Sequence, residues 1–231
     1  MRDLSNFKGC PAPHPVTLKG RFVTVEPYVR EQHLQDLWDG LGGMGINALL
    51  LYFAQDDFTG IDDFSGWLDS IHSKSGWLTH VFRDNGTAKV VGMANYMRAD
   101  PANGSVEIGG VAHGPAMKRS SLSTEAHYLM AKHIFEDLGY RRYEWKCDNL
   151  NEASKITAAR YGFQFEGIFR QHMISKGRNR DTAWFSIIDS EWPVTNEAFE
   201  TWLSAGNFDA DGRQKRRLED IRADLSREQP A

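Results

Sequence analysis

The segment from Ser105 to Arg170 constrains the fold of this chain more than any other part of it. It begins with SVEIGGVA, an apolar run that two adjacent glycines interrupt. Adjacent glycines inside a strand indicate a bulge or a close approach of the backbone to another group. Apolar residues then recur at helical spacing until Gly139, and the aromatic stretch RRYEWKCD follows from Arg141 to Asp148. The pattern predicts a strand, a helix and a second strand.

The start of the predicted helix is a candidate anion site. A helix that connects two strands favours a parallel, right-handed crossover, which brings its N-terminus to the C-terminal edge of the sheet. Unpaired amides and the helix dipole at that end attract negative charge. We therefore expect the turn from about Arg119 to Thr124 to hold a diphosphate, with Lys118 and Arg119 adding positive charge. Simple helix capping by Ser120, Ser121 and Ser123 is the competing explanation.

The residues after the second strand carry a resemblance to a known family. Asn151, Ser154 and the pair Gly162-Phe163 occur in the stretch NEASKITAARYGF. Together with the preceding strand, turn and helix, this order resembles the acyl-coenzyme A site of the GNAT N-acetyltransferases, most closely the branch of the ribosomal-protein N-acetyltransferases. The resemblance implies acetyl-CoA as acyl donor and a primary amine as acceptor, either on a small molecule or at a peptide N-terminus.

The chain departs from the family pattern at two places. The turn is usually Arg or Gln, two residues, Gly, one residue, then Gly or Ala, whereas the matching positions here are Lys118, Ser121 and Ser123. Many relatives also carry a tyrosine four residues before the Gly of the Gly-Phe pair, and that position is Ala158 here. Two alternatives therefore stay open, an acyl-CoA sensor without turnover and a transferase that uses succinyl-CoA.

The resemblance also implies roles for individual residues. A serine at the position of Ser154 is implicated in the ribosomal-protein branch as the acid that protonates the departing thiolate, and Asn151 would contact the pantetheine arm. The strand backbone at Val111 and Ala112 would polarise the thioester. The diphosphate would be bound by Lys118, Arg119, Ser120, Ser121, Leu122, Ser123 and Thr124. On residue type alone, Asn151 and Ser154 could instead merely begin a helix.

The reaction also needs a base that removes a proton from an ammonium group. Glu107 lies on the strand before the glycines, and a strand glutamate in this region serves as base in several relatives. It is the first candidate for that role. Glu125 has an ordinary explanation in the helix dipole, and Asp148 could simply begin a turn.

The rest of the chain predicts one domain with two extensions. Residues 1–20 contain three prolines and are expected to form a surface arm, 21–205 the GNAT domain, and 206–231 a charged, helical tail. Helices are expected at Glu31 to Leu41 and Ile61 to His72, and a hairpin at Asn85-Gly86. A second hairpin is expected around the loop from Lys176 to Asp181. The predicted fold is α/β (α+β), a mixed and largely antiparallel sheet of about seven strands flanked by helices.

The composition limits the classes of binding partner and the cellular location that we expect for this chain. The net charge of −4 gives no indication of nucleic-acid binding, and two cysteines are too few for a disulfide framework, which favours the cytoplasm. No apolar run suits a membrane span, and the histidine spacing does not predict a metal site. A homodimer is possible through an exposed sheet edge. Tyr52, Phe53 and Trp67 would border the acceptor pocket in the family, although filling the core is the commoner use of such aromatics.

Overall fold

The computed structural model describes residues 3–228, which form one eight-stranded sheet with helices on both faces. The strands are β1 Leu18–Lys19, β2 Val23–Pro27, β3 Leu78–Asp84, β4 Val90–Asp100, β5 Ser105–His113, β6 Arg142–Asp148, β7 Gln164–Ser175 and β8 Arg178–Ile188. The helices are α1 Arg30–Gly40, α2 Ile46–Leu49, α3 Ile61–Ser75, α4 Ser121–Lys132, α5 Glu152–Tyr161, α6 Trp192–Leu203 and α7 Leu218–Glu228.

The sheet is antiparallel except at one pair of strands. Its order is β1-β2-β3-β4-β5-β6-β8-β7, and β5 and β6 are the parallel pair that α4 connects. The predicted strand, helix, strand unit is therefore confirmed, and so is the mixed, largely antiparallel architecture. The short β1 is the strand beyond the seven that the sequence predicts.

Two apolar clusters lie on opposite faces of the sheet. Val81 belongs to the cluster that α1 and α3 cover, whereas its neighbour Phe82 belongs to the larger cluster under α4 and α6. Successive strand residues point to opposite faces, which separates the two clusters. The helical segment before Gly139 ends in a π-helical turn, His133–Asp137, and Gly139 has a φ of 70°.

The second hairpin is tighter than its sequence suggests. The expected loop from Lys176 to Asp181 is wrong, because β8 already begins at Arg178 and only Lys176 and Gly177 form the turn. Both turn residues have positive φ, 47° and 72°, which is typical of a type I′ turn. Arg178 to Asp181 thus lie in the strand. Their polar side chains had indicated a loop.

The segments expected to form the arm and the tail both pack against the rest of the fold. The arm is held at Cys10, whose amide donates to Pro101 O at 2.9 Å, and its end forms β1. The tail helix α7 buries Leu218 and Ile221 in the larger apolar cluster, next to α6, a helix that the sequence analysis did not predict. No helix within residues 3–228 combines the length and apolar character needed to cross a bilayer.

Candidate active site

A cavity of about 640 Å³ opens where the two parallel strands separate. β5 and β6 pair only from Ser105 to Ile108 and from Arg142 to Trp145. Beyond these residues the strands diverge, and Gly109 to Val111 and Lys146 to Asp148 line opposite walls of the cavity.

The predicted bulge in β5 is confirmed and borders the cavity. Met93 faces Ala112 and Asn95 faces Gly109, so three steps along β5 oppose two along β4. Gly110 has a φ of 56°, a conformation that glycine adopts without strain. Val111 lines the cavity, whereas the Ala112 side chain is buried outside it. One extra residue thus interrupts the ladder and frees main-chain polar groups beside the cavity.

Asn95 holds this bulge from the neighbouring strand. Its fully buried side-chain amide donates to Gly109 O at 3.1 Å and to Gly110 O at 3.3 Å. Its carbonyl oxygen accepts a hydrogen bond from the Thr79 hydroxyl, and His72 Nε2 lies 2.7 Å from that hydroxyl. The chain of hydrogen bonds orients the amide, and sequence reasoning missed it. The available signal was a polar residue inside the apolar run VVGMANYM.

The turn before α4 does not line this cavity. It follows β5, whose last residue His113 does line the cavity, and it leads into the N-terminus of α4. Ser120 does not cap the helix, because its hydroxyl donates to Met117 O at 2.9 Å. Ser123 Oγ donates to Ser120 O, and Thr124 Oγ1 accepts from Arg160 Nη1 at 2.9 Å. The explanation of Ser120 as a capping residue is therefore wrong. The side chains of Ser120, Ser123 and Thr124 are engaged internally, and the backbone amides are the groups that an anion would meet.

Lys118, Arg119 and Leu122 complete the turn in different ways. Lys118 and Arg119 lie immediately before the helix, and Arg119 has a positive φ of 55°. Leu122 is half-buried and packs against the larger apolar cluster. Lys118 and Arg119 therefore add positive charge at this helix start, together with Arg160, which donates to Thr124.

Asn151 and Ser154 both line the cavity at the start of α5. Asn151 Oδ1 accepts a hydrogen bond from Ser154 N at 3.0 Å, so Asn151 does cap the helix. Ser154 Oγ accepts from Trp145 Nε1 at 2.9 Å. Because the indole can only donate, the Ser154 hydroxyl keeps its own proton to donate, and the Cys147 thiol, also in the cavity wall, is within hydrogen-bond reach of it.

Glu107 lies in the cavity wall within a row of alternating charges. Its side chain is 4% exposed, and Oε2 is 2.8 Å from Lys146 Nζ and 2.9 Å from Arg98 Nη1. Lys146 also pairs with Glu144 at 2.7 Å. The complete row across the sheet is Arg98, Glu107, Lys146, Glu144, Arg142 and Glu166. Within residues 3–228 no protein donor bonds Glu107 Oε1, so this oxygen is open to a water or an ammonium group.

The far end of the cavity is lined by Tyr52 and Phe53. Trp67 is not part of this lining, because its ring packs against Phe53, Phe58 and Phe64 at centroid distances of 6.2, 5.7 and 5.8 Å. Of the three aromatics expected to border the acceptor pocket, Tyr52 and Phe53 line the cavity, and Trp67 packs behind Phe53.

Comparison with known proteins identifies the family. The profile described as "Acetyltransferase (GNAT) domain" matches residues 53–164. A GCN5-related N-acetyltransferase from Brucella melitensis has a similar structure, with 42% identity and a TM-score of 0.91, covering 95% of this chain and 100% of that one. The chain belongs to the GNAT acetyltransferase family.

Two further GNAT-type structures are similar to this chain. One, from Chromobacterium violaceum ATCC 12472 and described as a probable acetyltransferase (GNAT family), has 34% identity and a TM-score of 0.77 over 84% of this chain and 96% of that one. The ribosomal-protein-S5-alanine acetyltransferase from Vibrio fischeri has 15% identity and a TM-score of 0.60, covering 77% and 98%, which shows a shared fold. No curated protein sequence matches the chain.

A histidine pair lies behind the site of this GNAT domain, with His127 buried and His113 partly exposed to the cavity. His113 lines the cavity, and its Nε2 is 2.9 Å from Nε2 of His127, which stacks on Tyr161. Burial lowers the pKa of His113 to about 4 and lowers the pKa of His127 well below its usual value. Both rings are therefore neutral at pH 7. Tyr161 is buried in this stack, as expected for a packing residue.

Proposed function

We propose that this GNAT protein transfers an acetyl group from acetyl-CoA to a primary amine by direct attack in a ternary complex. The observation that supports this most directly is the bulge at Gly110, which leaves main-chain polar groups unpaired beside a cavity that Glu107 and Ser154 also line. Family membership supports an acyl donor bound as a coenzyme A thioester and an amine as acceptor.

The donor would lie along the opening between β5 and β6. The diphosphate is assigned to the backbone from Lys118 to Thr124, where helix amides and two basic side chains favour an anion. Asn151 would contact the pantetheine arm, using the amide nitrogen that its capping oxygen leaves free. Backbone N–H groups at the bulge, near Val111, would polarise the thioester carbonyl as negative charge develops on its oxygen.

Two side chains, Glu107 and Ser154, would then move the protons. Glu107 takes one proton from the acceptor ammonium, directly or through a water at Oε1, and the amine nitrogen attacks the thioester carbon. The carbon–sulfur bond breaks as Ser154 donates its hydroxyl proton to the leaving thiolate. The second proton lost by the nitrogen restores that hydroxyl, so the products are an amide and a free thiol, with one proton held by Glu107.

The Ser154→Ala variant is expected to lower kcat about 100-fold, which is typical for the loss of a general acid. Coenzyme A affinity should change less than about threefold, because the Asn151 cap uses the Ser154 backbone. Thiol release from acetyl-CoA measures kcat, and calorimetry measures affinity. Ser73→Ala, at an exposed serine on α3, is the control and should match the wild type. A large loss of affinity with unchanged kcat would contradict the acid role.

The two alternative functions predict different results in the same assay. A sensor would bind coenzyme A and release no thiol with any amine. Ala158, at the position where many relatives carry a tyrosine acid, is consistent with such a function. A succinyltransferase would release thiol faster from succinyl-CoA than from acetyl-CoA. A screen of peptide N-termini, polyamines, aminoglycosides and amino acids with both donors therefore separates all three.

A further inference from the structure

The positively charged side chains that line the cavity differ in whether they have an ion-pair partner. Arg98 and Lys146 both form ion pairs with Glu107. Arg180, on β8, lines the same cavity but forms no ion pair within residues 3–228. One positive charge in the wall thus lacks a protein counter-charge.

The Arg180 guanidinium has only one hydrogen-bond acceptor within residues 3–228, and that contact is long. Its Nε is buried without a partner, and Nη1 has a single long contact, 3.5 Å to Tyr52 O. A buried donor without an acceptor is costly, and the cost is larger for a charged group. A guanidinium is also well shaped to bind a carboxylate through two parallel hydrogen bonds. The side chain is therefore prepared for an anion that the chain itself does not supply.

The nearest acids in the sequence and in the sheet are engaged elsewhere. Asp181 Oδ1 accepts hydrogen bonds from Gln171 N at 2.7 Å and Asn179 Nδ2 at 2.9 Å. Asp148, which faces Thr182 across the strands, accepts from Leu150 N at 2.9 Å. The Asp181 carboxylate holds the bulge in β7, the Asp148 carboxylate stabilises the turn after β6, and neither forms an ion pair with Arg180 within residues 3–228.

The position of Arg180 separates it from the charges around Glu107. Lys146 Nζ lies 3.8 Å from the Trp184 ring centroid, and Arg180 is four residues from Trp184 along β8. Four residues of strand span about 13 Å. The tip of the hairpin is tied over this end by Lys176 Nζ, 3.1 Å from Asp57 Oδ1. A molecule whose amine lies at Glu107 would therefore extend towards Arg180.

We infer that the acceptor is a small amine that also carries an anionic group, a carboxylate, and that Arg180 binds this group. The inference rests on the proposed function, since it places the acceptor in the same cavity. A volume of about 640 Å³ for the acyl end of the donor and the acceptor together favours a small molecule. Tyr52 and Phe53 would cover its carbon chain.

The test compares matched acceptors on the wild-type protein. Amino acids with increasing numbers of methylenes between amine and carboxylate are compared with their carboxamides and with the corresponding aminophosphonates. The kcat/KM of the best carboxylate should exceed that of its amide about 30-fold, as expected when a charged hydrogen bond is lost. A higher kcat/KM for the aminophosphonate than for the carboxylate, or for a peptide N-terminus than for either, would overturn the carboxylate assignment.

Two variants locate the preference at Arg180. Arg180→Met and Arg180→Gln should each abolish most of the 30-fold preference while the rate with the amide stays within about threefold. Arg178→Met removes an exposed arginine from the same strand and should retain the preference. Equal rates with acid and amide in the wild type would overturn this inference and leave acetyl transfer intact. Absence of thiol release with every amine would instead refute the proposed function.

Discussion

Replacing Glu107 with glutamine is expected to lower kcat for acetyl transfer about 100-fold, the typical effect of removing a general base. Glutamine has nearly the same shape but cannot take a proton at neutral pH. Lys146 keeps its ion pair with Glu144 in this variant, so the strand pairing should persist. Thiol release gives kcat, and coenzyme A affinity should stay within about threefold, because the diphosphate is assigned to the start of α4.

Glu144→Gln is the matched control for this experiment. Glu144 belongs to the same row of charges, bonding Arg142 and Lys146, but it does not line the cavity. The control removes an equal charge from the neighbouring strand and should change kcat less than about threefold. Equal losses in the two variants would mean that Glu107 acts through the charge row rather than as the base.

Replacing Glu125 with alanine is expected to destabilise the fold by about 3 kcal/mol, because three main-chain donors lose a charged acceptor. The buried carboxylate accepts hydrogen bonds from Arg21 N at 2.9 Å, Phe22 N at 2.6 Å and Val23 N at 2.9 Å. These contacts fix the turn before β2 onto α4. For a domain of this size the expected fall in Tm is about 6–12 °C, measurable by differential scanning calorimetry.

An exposed glutamate provides the comparison. Glu152, paired with Lys155 on the surface of α5, should cost less than about 1 kcal/mol when replaced by alanine. The carboxylate of Glu125 is occupied by backbone, so a catalytic role for it has no structural support. A Tm for Glu125→Ala within 2 °C of the wild type would contradict the anchoring role assigned to these three hydrogen bonds.

Local patterns predicted much of the fold because their causes are local. The double glycine in SVEIGGVA predicted a bulge because glycine permits a positive φ, and Gly110 has one of 56°. Asn85-Gly86 predicted the first hairpin, although the positive φ of that connection lies at Ala88 and not at either of these two residues. The second hairpin was misjudged because the polar residues after Gly177 resemble a loop. They lie at the hairpin end of β8, where they are exposed or half-buried, and such positions do not need apolar side chains.

The site was only partly predictable for a different reason. Glu107, Ser154, Asn151, Tyr52 and Phe53 were placed in the cavity by order along the chain and by resemblance. The charge row around Glu107 joins strands distant in sequence, and its existence depends on a register that no local pattern specifies. The same holds for the hydrogen bonds from residues 21–23 to Glu125 and for those from Asn95 to the bulge, which join parts of the chain that are distant in sequence. No local pattern could show either that Arg180 would have no ion-pair partner within residues 3–228.

The most direct test of the central claim is a calorimetric titration with coenzyme A. The wild type should bind one equivalent through the amides at the start of α4. Ser121→Pro removes one such N–H at the first helical position, where proline is tolerated, and the extended Ser120, with a ψ of 162°, suits a following proline. This variant should keep the wild-type Tm and bind about tenfold more weakly. Failure of the wild type to bind coenzyme A, or undiminished binding by Ser121→Pro, would contradict the account.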